Sequence, residues 1–179
     1  MSHAPSPNYY NQSSKRLIFR SFEDQDDQNW EPFFINNPML RYVGGDLYAH
    51  LSSLEKATNW IDMQRTRQKE KLFGQLAVID KDSGEFIGLG GVIYRQINNV
   101  DEYEITYSLL QKAHGKGLGT ELAVHFKEYL KNELDLDSVI SIIHVDNEPS
   151  INVAKKNGMV FESKFEFLGM PVALFRTKL

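Results

Sequence analysis

The chain has 179 residues, of which 41% are hydrophobic, with no break in composition, enough for one domain with a real core. Its net charge of −4 argues against a nucleic-acid partner and suits a cationic substrate such as an amine; no apolar run is long enough to span a membrane. Without cysteine there is no disulfide scaffold, cysteine–zinc site or thiol nucleophile, and without a charged-then-apolar leader the expected location is cytoplasmic.

Residues 1–14 (MSHAPSPNYYNQSS) are poor in aliphatics and hold two prolines, which predicts a flexible N-terminal tail before a single domain over 15–179. Residues 15–22 (KRLIFRSF) read as a first strand. An acidic stretch from Glu23 to Asn29 starts a short helix, since aspartates favour the positive end of the helix dipole, and Asn36-Asn37-Pro38 ends that segment. Residues 39–54 read as a loop with short helical pieces. Ser52 or Ser53 caps the next helix, with Glu55 placed for a capping box, and the helix runs into basic residues from Arg65 to Lys71. Two strands, 72–80 and 85–94, flank the turn Lys81-Asp82-Ser83-Gly84. Gly88, Gly90 and Gly91 in the second of these predict a bulge or a surface approached closely.

Residues 102–110 alternate and are rich in Tyr, Ile and Thr, as a strand requires. Gly115, Gly117 and Gly119 follow within a short turn, and then Leu118, Leu122, Phe126, Leu130 and Leu134 keep helical spacing. A strand, a glycine turn and a helix together aim free backbone N–H groups at an anion. The turn lacks the Lys-Ser or Lys-Thr pair of a P-loop, and Thr120 stands where a dinucleotide fingerprint needs its third glycine. Beyond it come an apolar strand, 138–145, a helix capped by Asn147 or Glu148 and closed by Asn157-Gly158, and a hairpin of 160–168 with 171–178 over Gly169. The order is β, α, α, β, β, β, α, β, α, β, β: a mixed sheet with flanking helices.

The run HGKGLGTE resembles the acetyl-CoA pyrophosphate loop of the GNAT superfamily of N-acetyltransferases, with Gly117 and Gly119 in its two glycine places and His114 where the family has Gln or Arg. Asn147-Glu148-Pro149-Ser150 with Lys156 and Gly158 is similar to an element of the ribosomal-protein Nα-acetyltransferase-like branch, and the likeness covers roughly residues 15–179. It implies the GNAT acyl-CoA N-acyltransferase fold, an α/β mixed sheet flanked by helices. It also implies acetyl-CoA as co-substrate and direct transfer to a primary amine, with no metal. The acceptor would be a small-molecule amine (a polyamine, an amino acid or a drug) or a protein N-terminus. A homodimer is the commonest assembly for such a chain.

The resemblance implies a cofactor site built from Gly115, Lys116, Gly117, Leu118, Gly119 and Thr120 at the diphosphate, with His114 beside them. Ser108, Leu109 and Leu110 would pair with the pantetheine arm, and a backbone N–H near Leu109 or Leu110 would polarise the thioester. Asn147 and Ser150 would touch pantetheine, though both also suit helix capping. Glu104 is the expected general base, with Glu102 on the same face of its strand, where two nearby carboxylates would compete to stay charged. Tyr107 or Ser150 is the candidate proton donor, since Ala154 occupies the place of the family's usual tyrosine acid. His144 reads as a hydrogen-bonded core residue, and Arg41, Tyr42 and Asp46 as acceptor contacts. Two rival readings are a silent acyl-CoA-binding module and a dinucleotide oxidoreductase using Asp146 as its ribose-binding acid.

Overall fold

A computed structural model of the chain describes residues 4–44 and 49–179. Its strands are β1 (Asn11–Ser13), β2 (Leu17–Arg20), β3 (Gln75–Asp80), β4 (Phe86–Ile97), β5 (Val100–Leu109), β6 (Ser138–His144), β7 (Val160–Phe167) and β8 (Met170–Lys178). They form one sheet in the order β1-β2-β3-β4-β5-β6-β8-β7. Every neighbouring pair is antiparallel except β5 with β6. The helices are α1 (Asp26–Trp30), α2 (Ser53–Lys69), α3 (Leu118–Glu133) and α4 (Glu148–Lys156).

Strand alternation sorts the apolar side chains between two faces. On β3, Leu76 and Val78 join the core beneath α3, with Leu118, Leu122, Phe126 and Leu130 at helical spacing. The intervening Ala77 and Ile79 pack on the other face, with Trp30, Phe33, Ala57 and Ile61 from the α1–α2 side. Helix α3 sits close enough to the sheet that a Cβ at Gly90 would lie 2.4 Å from the Leu122 side chain, which explains that glycine by space alone. Helix α2 begins with the expected capping box, Ser52 with Glu55.

Two expectations are corrected. Strand β3 starts at Gln75 rather than Leu72, because the amides of Lys71 and Leu72 turn back to close α2 on the carbonyls of Gln68 and Arg67. The larger correction concerns the N-terminal segment, which is no loose tail over its described part. Pro7–Tyr10 form a 3₁₀ turn and β1 pairs along β2. Tyr9 is fully buried, and its hydroxyl donates to the Gly74 carbonyl at 2.5 Å and accepts from the Val92 amide at 2.8 Å. A Cβ at Gly91 would stand 2.6 Å from that hydroxyl, so the glycine makes the socket. One aromatic supplies the anchor that aliphatic content failed to suggest.

The feature that creates a site is the parallel pair. β5 and β6 meet at a single register, Glu104 opposite Ile140, reinforced by the Ser141 hydroxyl donating to the Ile105 carbonyl at 2.8 Å. Beyond that point residues 105–109 pair only with β4, and the two strands part. Two cavities lie along this wedge.

Candidate active site

The first cavity, about 430 Å³, runs from the glycine turn to the wedge. Gly117 is the N-cap of α3 with φ +74, a left-handed conformation that glycine adopts without strain, and no side chain caps the helix. The first bond within the helix is Glu121 N–H to the Gly117 carbonyl at 3.1 Å. The amides of Leu118, Gly119 and Thr120 therefore have no intrahelical partner, at the positive end of a 16-residue helix. These residues line the cavity together with His114, Gly115 and Gly117; β5 contributes Tyr107, Ser108 and Leu109, and the start of α4 contributes Asn147 and Ser150.

A strap from the N-terminal segment holds this loop. Glu121, in the first turn of α3, accepts from the Ser14 hydroxyl at 2.7 Å, the Arg16 amide at 2.7 Å and Arg16 Nε at 2.6 Å. Arg16 Nη1 then donates to the Lys116 carbonyl at 2.9 Å, tying the turn to the helix it precedes. The Lys116 side chain is exposed and does not line the cavity, and the part of Lys116 that the structure engages is its carbonyl, held by Arg16. Arg16 and its strap were missed by sequence reasoning, since nothing local links Arg16 to residues 116–121.

Leu110 is corrected too. Its N–H donates to the Ile87 carbonyl at 2.9 Å and its side chain packs in the α1–α2 core, away from the groove. The same alternation turns the Leu109 N–H away from β4, toward the gap left by β6. The Leu109 carbonyl on that side meets His114 Nε2 at 2.9 Å. A carbonyl only accepts, so Nε2 carries the proton and Nδ1 remains for a ligand.

The second cavity, about 330 Å³, lies on the other side of the opening and shares Val43, Tyr107, Ser108, Asn147 and Ser150 with the first. Glu104 lines it, buried and ion-paired with Arg95. Glu102, also buried, is instead gripped by Arg176 at 2.7 and 3.0 Å. The two carboxylates share no partner: Glu104 faces Arg95 and Glu102 faces Arg176. Arg95 was missed, though the hairpin over Asn98-Asn99 sets it opposite Glu102 and diagonal to Glu104, a charge pattern visible in the sequence.

Tyr107 O–H donates to the Ser150 backbone carbonyl at 3.1 Å, tying β5 to the start of α4. Burial pushes its phenol above the ordinary value, so its one proton is both engaged and hard to release. Asn147 caps α4 by accepting from the Ser150 amide at 3.3 Å, which leaves its Nδ2 without an acceptor among the described residues. His144 is less secluded than expected: it lines the second cavity, with its ring 5.0 Å from that of Tyr42 and Nδ1 accepting from the Asp146 amide. Tyr42 lines the cavity as well, whereas Arg41 is exposed and stacks on Tyr42; Asp46 lies outside the described residues. The Asp146 side chain is 76% exposed and lines neither cavity. Among the described residues, no group of three or more His, Asp or Glu side chains could hold a metal ion, and no helix is long and apolar enough to cross a membrane.

Comparison with known proteins agrees with this geometry. The uncharacterized protein YkkB of Bacillus subtilis is 27% identical over 164 residues, covering 91% of this chain and 92% of that protein. The uncharacterized N-acetyltransferase YnaD of the same organism is 26% identical over 154 residues, covering 86% and 85%. Among solved structures, the ribosomal L7/L12 alpha-N-protein acetyltransferase RimL in complex with coenzyme A superposes with a TM-score of 0.75 at 16% identity, over 94% of this chain and 97% of that one, a likeness of fold. Residues 16–160 match the model of the acetyltransferase (GNAT) domain. That match spans most of the chain, which therefore belongs to the GNAT family of acetyltransferases.

Proposed function

We propose that this chain transfers the acetyl group of acetyl-CoA to a primary amine by direct attack, without a covalent enzyme intermediate. The observation that carries the reading is the junction of the two cavities at Tyr107, Ser108, Asn147 and Ser150, with bare helix amides on one side and Glu104 on the other. The amides of Leu118, Gly119 and Thr120, with the Thr120 hydroxyl, hold the diphosphate. Ser108 and Leu109 offer the free edge of β5 to the pantetheine arm, which Asn147 Nδ2 and the Ser150 hydroxyl also reach. The likeness of fold to RimL, solved in complex with coenzyme A, supports coenzyme A as the ligand.

Acetyl-CoA supplies an activated acyl group as a thioester. The Leu109 N–H polarises the acyl carbonyl. Glu104 takes the proton that the amine loses, directly or through a water, while the new C–N bond replaces C–S. A lysine-type amine with a pKa of about 10.4 is almost wholly protonated near neutral pH, so a base contributes about 10²–10⁴-fold. The leaving thiol has an ordinary pKa of about 8.5, so its thiolate departs unaided. Tyr107, with its phenol raised by burial, positions α4 instead of donating a proton.

Thermal melting with acetyl-CoA, set against NAD(P), tests the binding half of the proposal: ligand at ~100 times its Kd adds about 2.7 kcal/mol. An amine panel read by released thiol tests the transfer. Stabilisation by acetyl-CoA with no thiol release from any amine would leave a silent binding module, and no stabilisation would end the reading altogether.

A further inference from the structure

The second cavity has a charge that the chain's overall balance hides. Arg16, Arg20, Arg65, Arg95 and Arg176 each meet a carboxylate within 4 Å. Arg67, on α2 and lining this cavity, meets none among the described residues; its one hydrogen bond runs from Nη1 to the Phe73 carbonyl at 3.5 Å. It is half-buried, and burial first, then the neighbouring charge of Arg95, pulls its pKa below the ordinary value. The acids that act on it electrostatically do not neutralise it: Glu104 is taken by Arg95, and Glu70 is exposed at the end of the helix.

One helical turn earlier, Gln64 is 2% exposed and lines the same cavity. Its Oε1 accepts from the Gln75 amide at 2.9 Å, which leaves the Nε2 donors without an acceptor among the described residues. The acceptor groups nearby are already used, since Gln75 Oε1 takes the Trp60 indole N–H at 2.7 Å. This wall therefore presents donors and a positive charge. A partly desolvated guanidinium with no counter-ion is costly, and an oxyanion on a ligand removes that cost with charge-assisted hydrogen bonds.

We infer that the acceptor is a primary amine that also carries a carboxylate, which Arg67 and Gln64 hold while the amine faces Glu104. The inference rests on the acetyltransferase reading and narrows it. Of the described charged side chains lining the cavity, Arg95 and Glu104 cancel, so Arg67 leaves it positive, and a polyamine would set a second cation against it. The chain's net charge of −4 pointed the other way.

The test measures kcat/KM by thiol release at saturating acetyl-CoA, for amine pairs that differ only in a carboxylate: an α-amino acid against its carboxamide. An aminophosphonate and spermidine complete the panel. A ratio of tenfold or more favouring the carboxylate is expected, equivalent to about 1.4 kcal/mol per tenfold. Arg67→Gln should bring the ratio near one, Arg67→Lys should retain part of it, and Lys69→Gln, on the exposed side of the same helix, should leave it intact. Preference for spermidine, the carboxamide or the phosphonate, or an Arg67→Gln ratio equal to the parent's, overturns the inference. Acetyl-CoA stabilisation, measured on every variant, separates the two failures: its loss in the parent defeats the enzyme reading, whereas its persistence without carboxylate selectivity defeats only this one.

Discussion

Substituting Glu104 with Gln tests the proposed chemistry most directly, and the structure says what else that change disturbs. The carboxylate is the partner of Arg95, with side-chain exposures of 7% for Glu104 and 28% for Arg95. The variant therefore loses a base and also strands a guanidinium. The stranded charge should cost about 1–2 kcal/mol of stability, reduced from a fully buried pair by the exposure of Arg95. In a domain of this size that is roughly 2–8 °C in Tm. The base loss acts on rate: about 10²-fold or more in kcat/KM near neutral pH. At pH 8 only about one part in 250 of an amine with a pKa near 10.4 is unprotonated, and that fraction rises tenfold per unit. The Glu104→Gln rate should climb with pH toward the parent's, since solvent then supplies what the carboxylate did. Arg95→Gln breaks the same ion pair but keeps the carboxylate, so thiol-release assays across pH on the two variants separate the effects. A loss below threefold in Glu104→Gln, or an equal loss in Arg95→Gln, would refute the base assignment.

Three further substitutions probe the parts that hold the site. Tyr9→Phe leaves the Gly74 carbonyl and Val92 amide buried without their partner, at about 1–3 kcal/mol each; urea unfolding should show a loss of roughly 2–6 kcal/mol, and a loss under about 1 would detach the N-terminal segment from the fold. Gly117→Ala meets nothing closer than Arg16 Nη2 at 3.8 Å, so its cost is the left-handed backbone alone, about 1–2 kcal/mol. Calorimetry should show acetyl-CoA binding weakened about tenfold as the loop relaxes and its amides turn; an unchanged Kd contradicts the anion-site reading. For Glu121, burial raises the carboxyl pKa, but bonds from Ser14 and Arg16 outweigh it and the net shift is downward. A depressed folded value contributes stability above the unfolded value, near 4.5, and forfeits it as pH falls through the folded one. The stability gap between the parent and Glu121→Gln should therefore be widest near neutrality and narrow as pH falls below about 4.5 through the depressed folded value, as read by melting across pH.

Much of the fold was legible because its signals are local. Gly115-Lys116-Gly117-Leu118-Gly119 announces a turn into a helix, Ser52 with Glu55 announces a cap, and Lys81-Asp82-Ser83-Gly84 announces the β3–β4 hairpin, each within a few residues. Glu104 and Ser108 were placed on one strand by alternation. What escaped were contacts between distant segments. Residues 4–14 looked loose because their anchoring depends on a socket at Gly91, and the Arg16 strap depends on a glutamate more than a hundred residues away. Trp60, Met63, Gln64 and Arg67 keep helical spacing, yet nothing in that spacing says the stripe ends in a cavity and not in solvent.

The sequence by itself determined the mixed sheet, the bare N-terminus of α3 and the family, because strand alternation, helical period and left-handed glycine positions are properties of short stretches of chain. Only the tertiary structure decided that Leu109 and not Leu110 offers a free amide, that Glu104 answers to Arg95, and that Arg67 meets no carboxylate among the described residues. Those outcomes depend on which strand lies alongside which, and on where β5 and β6 part, a relation between residues that no local pattern carries.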